Sequence, residues 1–240
     1  MDRVGLIGAM PIELEPLMAQ LEDAREEHVG PLTFRLGRIA GVDVVVGCCG
    51  IGKVNAAMGA QAMLQEYHPR RVIHVGVGGG LIGRLKVGDV VIASGCVQYD
   101  VDTTALGDPP GFVSTVNKIE FECDRDVRED ILAAANGMAE RRFEVISGRV
   151  ATGDRFLTRR KEKQRIVDDF SALTCDQESC AIAQVCCIHG APVAVIRAVS
   201  DASDDVHADE YANFAPAAAG NAASVALRYL ESLSAAQRKK

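Results

Sequence analysis

The side chains best suited to moving protons stand just after short apolar runs. Glu13 lies in GAMPIELEP, Glu178 in DQES and Asp201 directly after VIRAVS, with Arg197 inside that last run. A carboxylate can act as general acid or base, or accept hydrogen bonds from hydroxyls, and an arginine within an apolar strand needs an acidic partner. Each group also has an ordinary structural explanation. Glu13 and Glu178 suit the first turn of a helix, where the macrodipole stabilises a negative charge, and Asp201 within SDAS suits a helix N-cap. Two glycine-rich motifs point towards nucleotides and then fail. GCCGIGKV nearly matches a triphosphate-binding loop, but Val54 replaces the hydroxyl that would hold magnesium. Gly78 to Gly83 spells Gly-x-Gly-x-x-Gly, yet the following KVGDVVI reads as another strand, so no helix N-terminus awaits a pyrophosphate.

These residues need a scaffold that brings distant segments together. Apolar runs at Arg3 to Ile7, Val42 to Gly47, Arg71 to Val77, Asp89 to Ala93, Phe143 to Ala151 and Pro192 to Ser200 predict strands. Between them, helical spacing predicts helices over Pro11 to about Glu26, Lys53 to Tyr67, Val127 to Glu140, Ser179 to His189 and about Ala215 to Leu233. Such alternation marks an α/β fold with a mainly parallel sheet. The carboxyl ends of its strands would then gather Glu13, Gly50 to Lys53, a Gly-rich turn at Gly76 to Gly80, Asp154 to Leu157, Asp176 to Glu178 and Arg197 to Asp201 at one edge. A long loop is predicted at Gly107 to Asn117. The chain reads as one domain over residues 1–235 with a frayed tail at 236–240.

Composition narrows the partners. Among 240 residues, 26 Lys and Arg face 33 Asp and Glu, and the net charge of −7 offers no basic field to nucleic acid or an anionic membrane. No apolar stretch approaches the roughly 20 residues that span a bilayer, and MDRVGLIGAM enters its apolar run without a signal-peptide cleavage site, which predicts a cytoplasmic protein. The eight cysteines show neither Cys-x-x-Cys nor zinc-finger spacing, so they read as reduced core fillers and no metal site is expected.

Taken in order, GAMPIELEP, CGIGKVNAA, HVGVGGGL with IGRLKVGDVV, TGDRFL, DQESCAIAQVC and VIRAVSDASD resemble the nucleoside phosphorylase and nucleosidase superfamily. The similarity is greatest to the 5′-methylthioadenosine/S-adenosylhomocysteine nucleosidases and runs from about Arg3 to Leu233, apart from the loop between Gly107 and Phe121. It implies a single-domain, three-layer α/β/α fold around a twisted, mixed, mostly parallel sheet. It also implies a homodimer that hydrolyses the N-glycosidic bond of an adenine nucleoside with no metal or cofactor. By resemblance, Asp201 is the general acid at adenine N7, a task that requires burial to keep it protonated near neutral pH. Glu13 matches the general base, Glu178 the acceptor of ribose hydroxyls, and Arg197 an anchor for water and carboxylates. Phe156 matches a ring stacked on adenine, and Leu157 a segment whose backbone reads its edge. Val77, Gly78 and Gly79 would line ribose and base, and Met10, Ile51, Asp176, Gln177 and Ser200 complete the binding set.

Several positions depart from the family pattern. Gly-Ser-Ala-Gly-Gly becomes Gly76-Val77-Gly78-Gly79-Gly80, Met-Glu becomes Gln177-Glu178, the preceding Glu becomes Asp176, and Leu106 stands where relatives carry an aromatic residue. These changes leave the 5′ substituent open, so futalosine and adenosylhopane nucleosidases remain alternatives. A phosphate-dependent purine nucleoside phosphorylase is disfavoured because Glu13 and His74-Val75-Gly76 stand where phosphate-binding arginines are expected, and a carboxylate repels a dianion. A non-catalytic adenine-nucleoside binder is a further alternative. Gly107 to Asn117 is the candidate for a loop lent to the partner's pocket.

Overall fold

A computed structural model describes residues 3–201, 203–204 and 208–238. The apolar runs form strands, and the helical segments pack on both faces of the sheet they build. In chain order the main elements are β1 (Val4–Gly8), α1 (Pro11–Met18), β2 (Glu22–Val29), β3 (Leu32–Ile39), β4 (Val42–Cys48), α2 (Lys53–Tyr67), β5 (Arg71–Gly80), β6 (Val90–Gln98) and β7 (Glu120–Glu122). There follow α3 (Arg125–Asn136), β8 (Val145–Thr152), α4 (Arg160–Phe170), β9 (Ala172–Asp176), α5 (Ser179–His189), β10 (Val193–Asp201) and α6 (Ala208–Gln237). The expected α/β class and mixed sheet are present, with helices α1, α3 and α6 covering one face and α2 and α5 the other.

The sheet is less uniformly parallel than the alternation suggests. Strands β4, β1, β5 and β10 run parallel to one another, as do β6, β8 and β9, but the two blocks meet antiparallel at β10–β6 and β5–β9. Because β10 pairs with both β5 and β6, the strands β5, β9, β8, β6 and β10 close on themselves, and β1, β4, β3 and β2 extend the ring. The β5–β9 contact is confined to Gly79↔Cys175 and Gly80↔Thr174, where both strands end. Closure therefore brings the carboxyl ends of the two blocks to one place despite their opposite directions.

Other boundaries moved for identifiable reasons. The helix expected to reach Glu26 stops at Met18, and Glu22–Val29 is instead a strand. Val29 pairs with Leu32 across Gly30-Pro31, where Gly30 takes φ 56°, so a hairpin partner overrides the helix propensity of EDAREE. Strand β2 is charged and largely exposed, as suits a sheet edge that must not pair further. The Gly-rich turn is in fact strand, since β5 continues through Gly80. Helix α4 was not anticipated, because its sequence, RKEKQRIVDDF, carries only a thin apolar stripe. Helix α6 starts at Ala208, with Pro216 inside it, and runs to Gln237, within the predicted tail; residues 239–240 lie outside those described. The Gly107 to Asn117 loop holds a short 3-10 turn at Ser114–Val116 and is tied back by Gly111 N–H donating to Val101 O at 2.9 Å. All eight cysteines are free, with Cys48 and Cys187 exposed and the others buried.

Candidate active site

The strand ends line a cavity at one edge of the sheet. Every residue expected to bind or react lines it except Arg197, which is fully buried behind its wall. Glu13, Met10 and Ile51 come from the β1 and β4 ends, Val77, Gly78 and Gly79 from β5, and Ser200 and Asp201 from β10. Asp176, Gln177 and Glu178 arrive from β9, with Phe156 and Leu157 from the loop after β8.

Arg197 organises one wall. Its guanidinium reaches Asp176 Oδ2 at 2.6 Å, Glu178 Oε2 at 3.4 Å and Glu13 Oε1 at 3.6 Å, and its Nε also donates to Ser179 Oγ at 3.0 Å. Nη2 donates to His74 Nε2 as well. His74 Nδ1 faces Ile7 O at 2.8 Å, and a carbonyl only accepts, so the proton sits on Nδ1 and Nε2 is free to accept from arginine. Burial, reinforced by the Arg197 charge, lowers the His74 pKa to about 3, so the ring is neutral. A side chain at Gly76 would collide with Arg197 Nη1 and Glu13 Oε1, so only glycine lets this cluster assemble under β5.

Glu13 is not the solvated helix-start carboxylate that its context allows. It is 1% exposed and turned inward, accepting backbone N–H bonds from Ala9 at 2.8 Å and Met10 at 2.9 Å on Oε2, and from Val77 at 2.9 Å on Oε1. Glu178 stands at the N-cap position of α5, yet its Oε1 accepts from Gly52 N at 2.9 Å across the cavity mouth. Burial raises the Glu178 pKa to about 7, against the opposing pull of Arg197. Asp176 lines the cavity but spends its carboxylate elsewhere. Thr152 Oγ1 donates to it at 2.6 Å, and Ser179 Oγ and Arg197 also bond it. Burial pushes the Asp176 carboxyl up, but the Arg197 guanidinium and these hydroxyls outweigh it and hold the pKa below the usual value. Asp176 therefore acts as the frame for Arg197 and the start of α5.

The opposite wall carries Asp201, at the end of β10 beyond a bulge between Val199 and Asp201. It is 5% exposed, as expected, but burial is not its whole environment. Lys163 Nζ donates to Oδ2 at 2.9 Å, and the Ser200 hydroxyl lies 2.8 Å from Oδ1 and 3.2 Å from Gly78 O. Phe156 is half exposed at the rim and meets Tyr211 edge-on, with ring centroids 5.4 Å apart. The Tyr211 hydroxyl, from the start of α6, donates to Met10 Sδ at 3.7 Å, and both residues line the cavity.

The near-match to a phosphate loop is resolved by its partners. Gly52 N–H serves Glu178, Lys53 N–H serves Asp154 Oδ1 at 2.8 Å, and Lys53 Nζ holds Asp100 Oδ1 at 2.6 Å. Carboxylates of this chain thus take the donors that a phosphate would need. Among the described residues, His74, Asp176 and Glu178 are near enough to share a metal ion. Each already faces Arg197, however, and a guanidinium among the three would repel a second cation.

A family model described as the phosphorylase superfamily matches residues 3–231. This chain belongs to the phosphorylase superfamily. A 5′-methylthioadenosine/S-adenosylhomocysteine nucleosidase of Bacillus thuringiensis subsp. konkukian is 35% identical over 240 residues, covering 96% of this chain and 99% of the relative. The nucleosidase of the same name from Neisseria meningitidis, solved with methylthio-immucillin-A, superposes with a TM-score of 0.92 at 33% identity, over 97% of this chain and 100% of the other. Futalosine hydrolase of Helicobacter pylori superposes with a TM-score of 0.90 at 27% identity, covering 96% and 98%.

Within this superfamily fold, sequence reasoning missed Ala9, Cys175 and Tyr211 in the cavity wall and Lys163 behind it, and it placed Arg155 at this edge without giving it a role. Lys163 had a readable signal, because it precedes Ile166 by three positions and Phe170 by seven, on the buried stripe of α4. Tyr211 had none, since the turn of α6 that aims it is set by tertiary packing. Leu106 is 82% exposed and does not line the cavity.

Proposed function

We propose that this chain hydrolyses the N-glycosidic bond of an adenine nucleoside of the 5′-methylthioadenosine or S-adenosylhomocysteine type, releasing the free base. One observation carries the reading: Glu13, Glu178 and Asp201 open onto one cavity, while the arginine that faces the first two is sealed behind its wall. Cleavage passes through a positively charged sugar and a purine that gains the electron pair of the broken bond. Glu13, fixed by three backbone donors, takes a proton from the attacking water. Glu178 accepts hydrogen bonds from ribose hydroxyls, where a carboxylate outdoes an amide because both partners are donors. Asp201 hands a proton to N7, and Phe156 covers the base.

Water is favoured over phosphate because an incoming dianion would meet Glu13 and Glu178, with the Arg197 charge already engaged by carboxylates. The TM-score of 0.90 to a futalosine hydrolase favours a second reading, in which the 5′ substituent is larger. The apolar side chains of Met10, Ile51 and Phe156 and the ring of Tyr211 among the lining residues suit either substituent. We also propose a homodimer. Val54 and Met58, one turn apart on α2, are 79% and 41% exposed, and Ile188 on neighbouring α5 is 62% exposed. Light scattering on the purified protein tests this, and a monomeric mass would refute it. No helix among the described residues is long and apolar enough to cross a membrane.

The decisive experiment measures release of free base from 5′-methylthioadenosine, S-adenosylhomocysteine and futalosine, with and without phosphate. Turnover without phosphate supports the hydrolase, and the preferred substrate names the 5′ group. Strict phosphate dependence, or inertness towards all three, would overturn the reading.

A further inference from the structure

Helix α4 carries a residue that its position does not ask for. Its buried face consists of Lys163, Ile166 and Phe170, the spacing of an apolar stripe, and Lys163 is 1% exposed. Lysine is almost never buried to this degree unless paired, because taking an ammonium out of water is expensive. Here Nζ donates to Asp201 Oδ2 at 2.9 Å, directly behind the cavity wall. An ammonium has donors only, so Oδ2 must be an acceptor in this contact. Oδ1 can serve either way. The Ser200 hydroxyl can donate to Oδ1 at 2.8 Å, or turn to Gly78 O at 3.2 Å and accept a proton-bearing Oδ1 instead. Cys175 stands beside Asp201, with burial pushing its thiol up to about 12 and its Sγ donating to Gly79 O at 3.7 Å.

We propose that Lys163 is a positioning residue that supplies, through Asp201, the proton the departing purine takes at N7. The proposal rests on the N-ribohydrolase reading above. As C1′–N9 breaks, its electron pair passes to the purine and N7 becomes strongly basic. One N–H bond of the ammonium breaks, an O–H bond forms on Asp201, and the carboxyl group gives a proton to N7. Lys163 is left as a neutral amine. Glu13 takes the proton that the attacking water loses, and exchange with solvent after the base departs restores both groups. A buried lysine can give up a proton in this way, whereas an arginine keeps its charge at any accessible pH.

That difference supplies the test. The protein, its Lys163→Arg and Lys163→Ala variants are assayed for base release from the best nucleoside substrate, with melting temperatures recorded. Both variants are expected to lose about a hundredfold in kcat, in the range of one proton-transfer contribution, with KM within about twofold of the parent. Adding n-propylamine, which completes the truncated side chain, should restore Lys163→Ala, and n-propylguanidine should not. Parental kcat in Lys163→Arg, or equal rescue by amine and guanidine, would show that the charge alone matters and overturn the proposal. If Lys163→Ala does not fold, the Lys163→Arg rate decides by itself. Failure of the parent protein to release base from any nucleoside would instead refute the functional reading, so the two failures are distinguishable.

Discussion

Two cations are buried on opposite sides of the cavity, and their surroundings differ. Arg197 faces three carboxylates, Asp176, Glu13 and Glu178, together with a neutral His74, so negative charge is in excess on the side where the sugar would lie. Lys163 holds the carboxylate of Asp201 at 2.9 Å on the side assigned to the base. In the first arrangement the cation itself is fixed, since a guanidinium does not release protons, and the carboxylates around it suit a centre that becomes positive. The second is an ammonium–carboxylate contact across which a proton can move. One site thus treats its two reacting halves with different chemistry, and choosing Arg for one and Lys for the other follows from that.

The sharpest way to break the comparison is Arg197→Met. Three buried carboxylates would lose their shared cation, and removing one partner of a buried ionic cluster costs about 3–5 kcal/mol. Chemical denaturation should show a loss of that size, together with loss of activity. A drop near zero would mean that the carboxylates are not balanced by Arg197. Asp201→Asn follows in size. It should lower kcat by roughly 10²- to 10⁴-fold, as expected for a lost general acid. It should also lower the melting temperature, because Lys163 keeps its buried charge without this counter-ion. An unaltered rate would refute the assignment of Asp201.

Glu178 sharpens the comparison through pH. Burial raises its pKa to about 7, and only the ionised form accepts from both ribose hydroxyls. KM should therefore fall as pH rises through about 7, and Glu178→Gln should flatten that dependence. For stability the sign is opposite. A carboxyl whose folded pKa exceeds its unfolded value binds more protons when folded, so its contribution is complete below about pH 4.5 and lost as pH rises through about 7. A free-protein stability that climbs across this window in the parent, relative to Glu178→Gln, would contradict the raised pKa.

How much of this was readable depends on whether a residue acts locally. The strand runs, the two glycine-rich segments and the four reacting side chains stand out because each lies at a strand end or within an apolar run. Ring closure does not, since it depends on β10 finding both β5 and β6, a pairing with no local mark. Gly76 looked like part of a turn, yet its role is to leave room for Arg197 and Glu13 beneath a continuous strand. Likewise the β2–β3 hairpin was hidden by helix-forming residues on an edge strand whose partner, not its composition, decides its conformation. Lys163 was visible as a charged residue on an apolar stripe, but only after α4 was recognised as a helix.

The mildest test concerns the rim, where neither cation acts. Phe156 is 47% exposed and meets Tyr211 edge-on at 5.4 Å, so it is held in place by a partner without being sealed into the core. Phe156→Ala should leave stability almost unchanged, because a half-exposed ring gives up little buried area. An aromatic contact contributes about 0.5–1.5 kcal/mol beyond its area, so substrate KM should rise several-fold with kcat nearly constant. Were kcat to fall as far as in Asp201→Asn, the ring would be acting on the departing base in the transition state. Chemistry would then extend to the rim, and the division between a wall built on a fixed cation and a wall built on a proton-releasing cation would no longer describe the site.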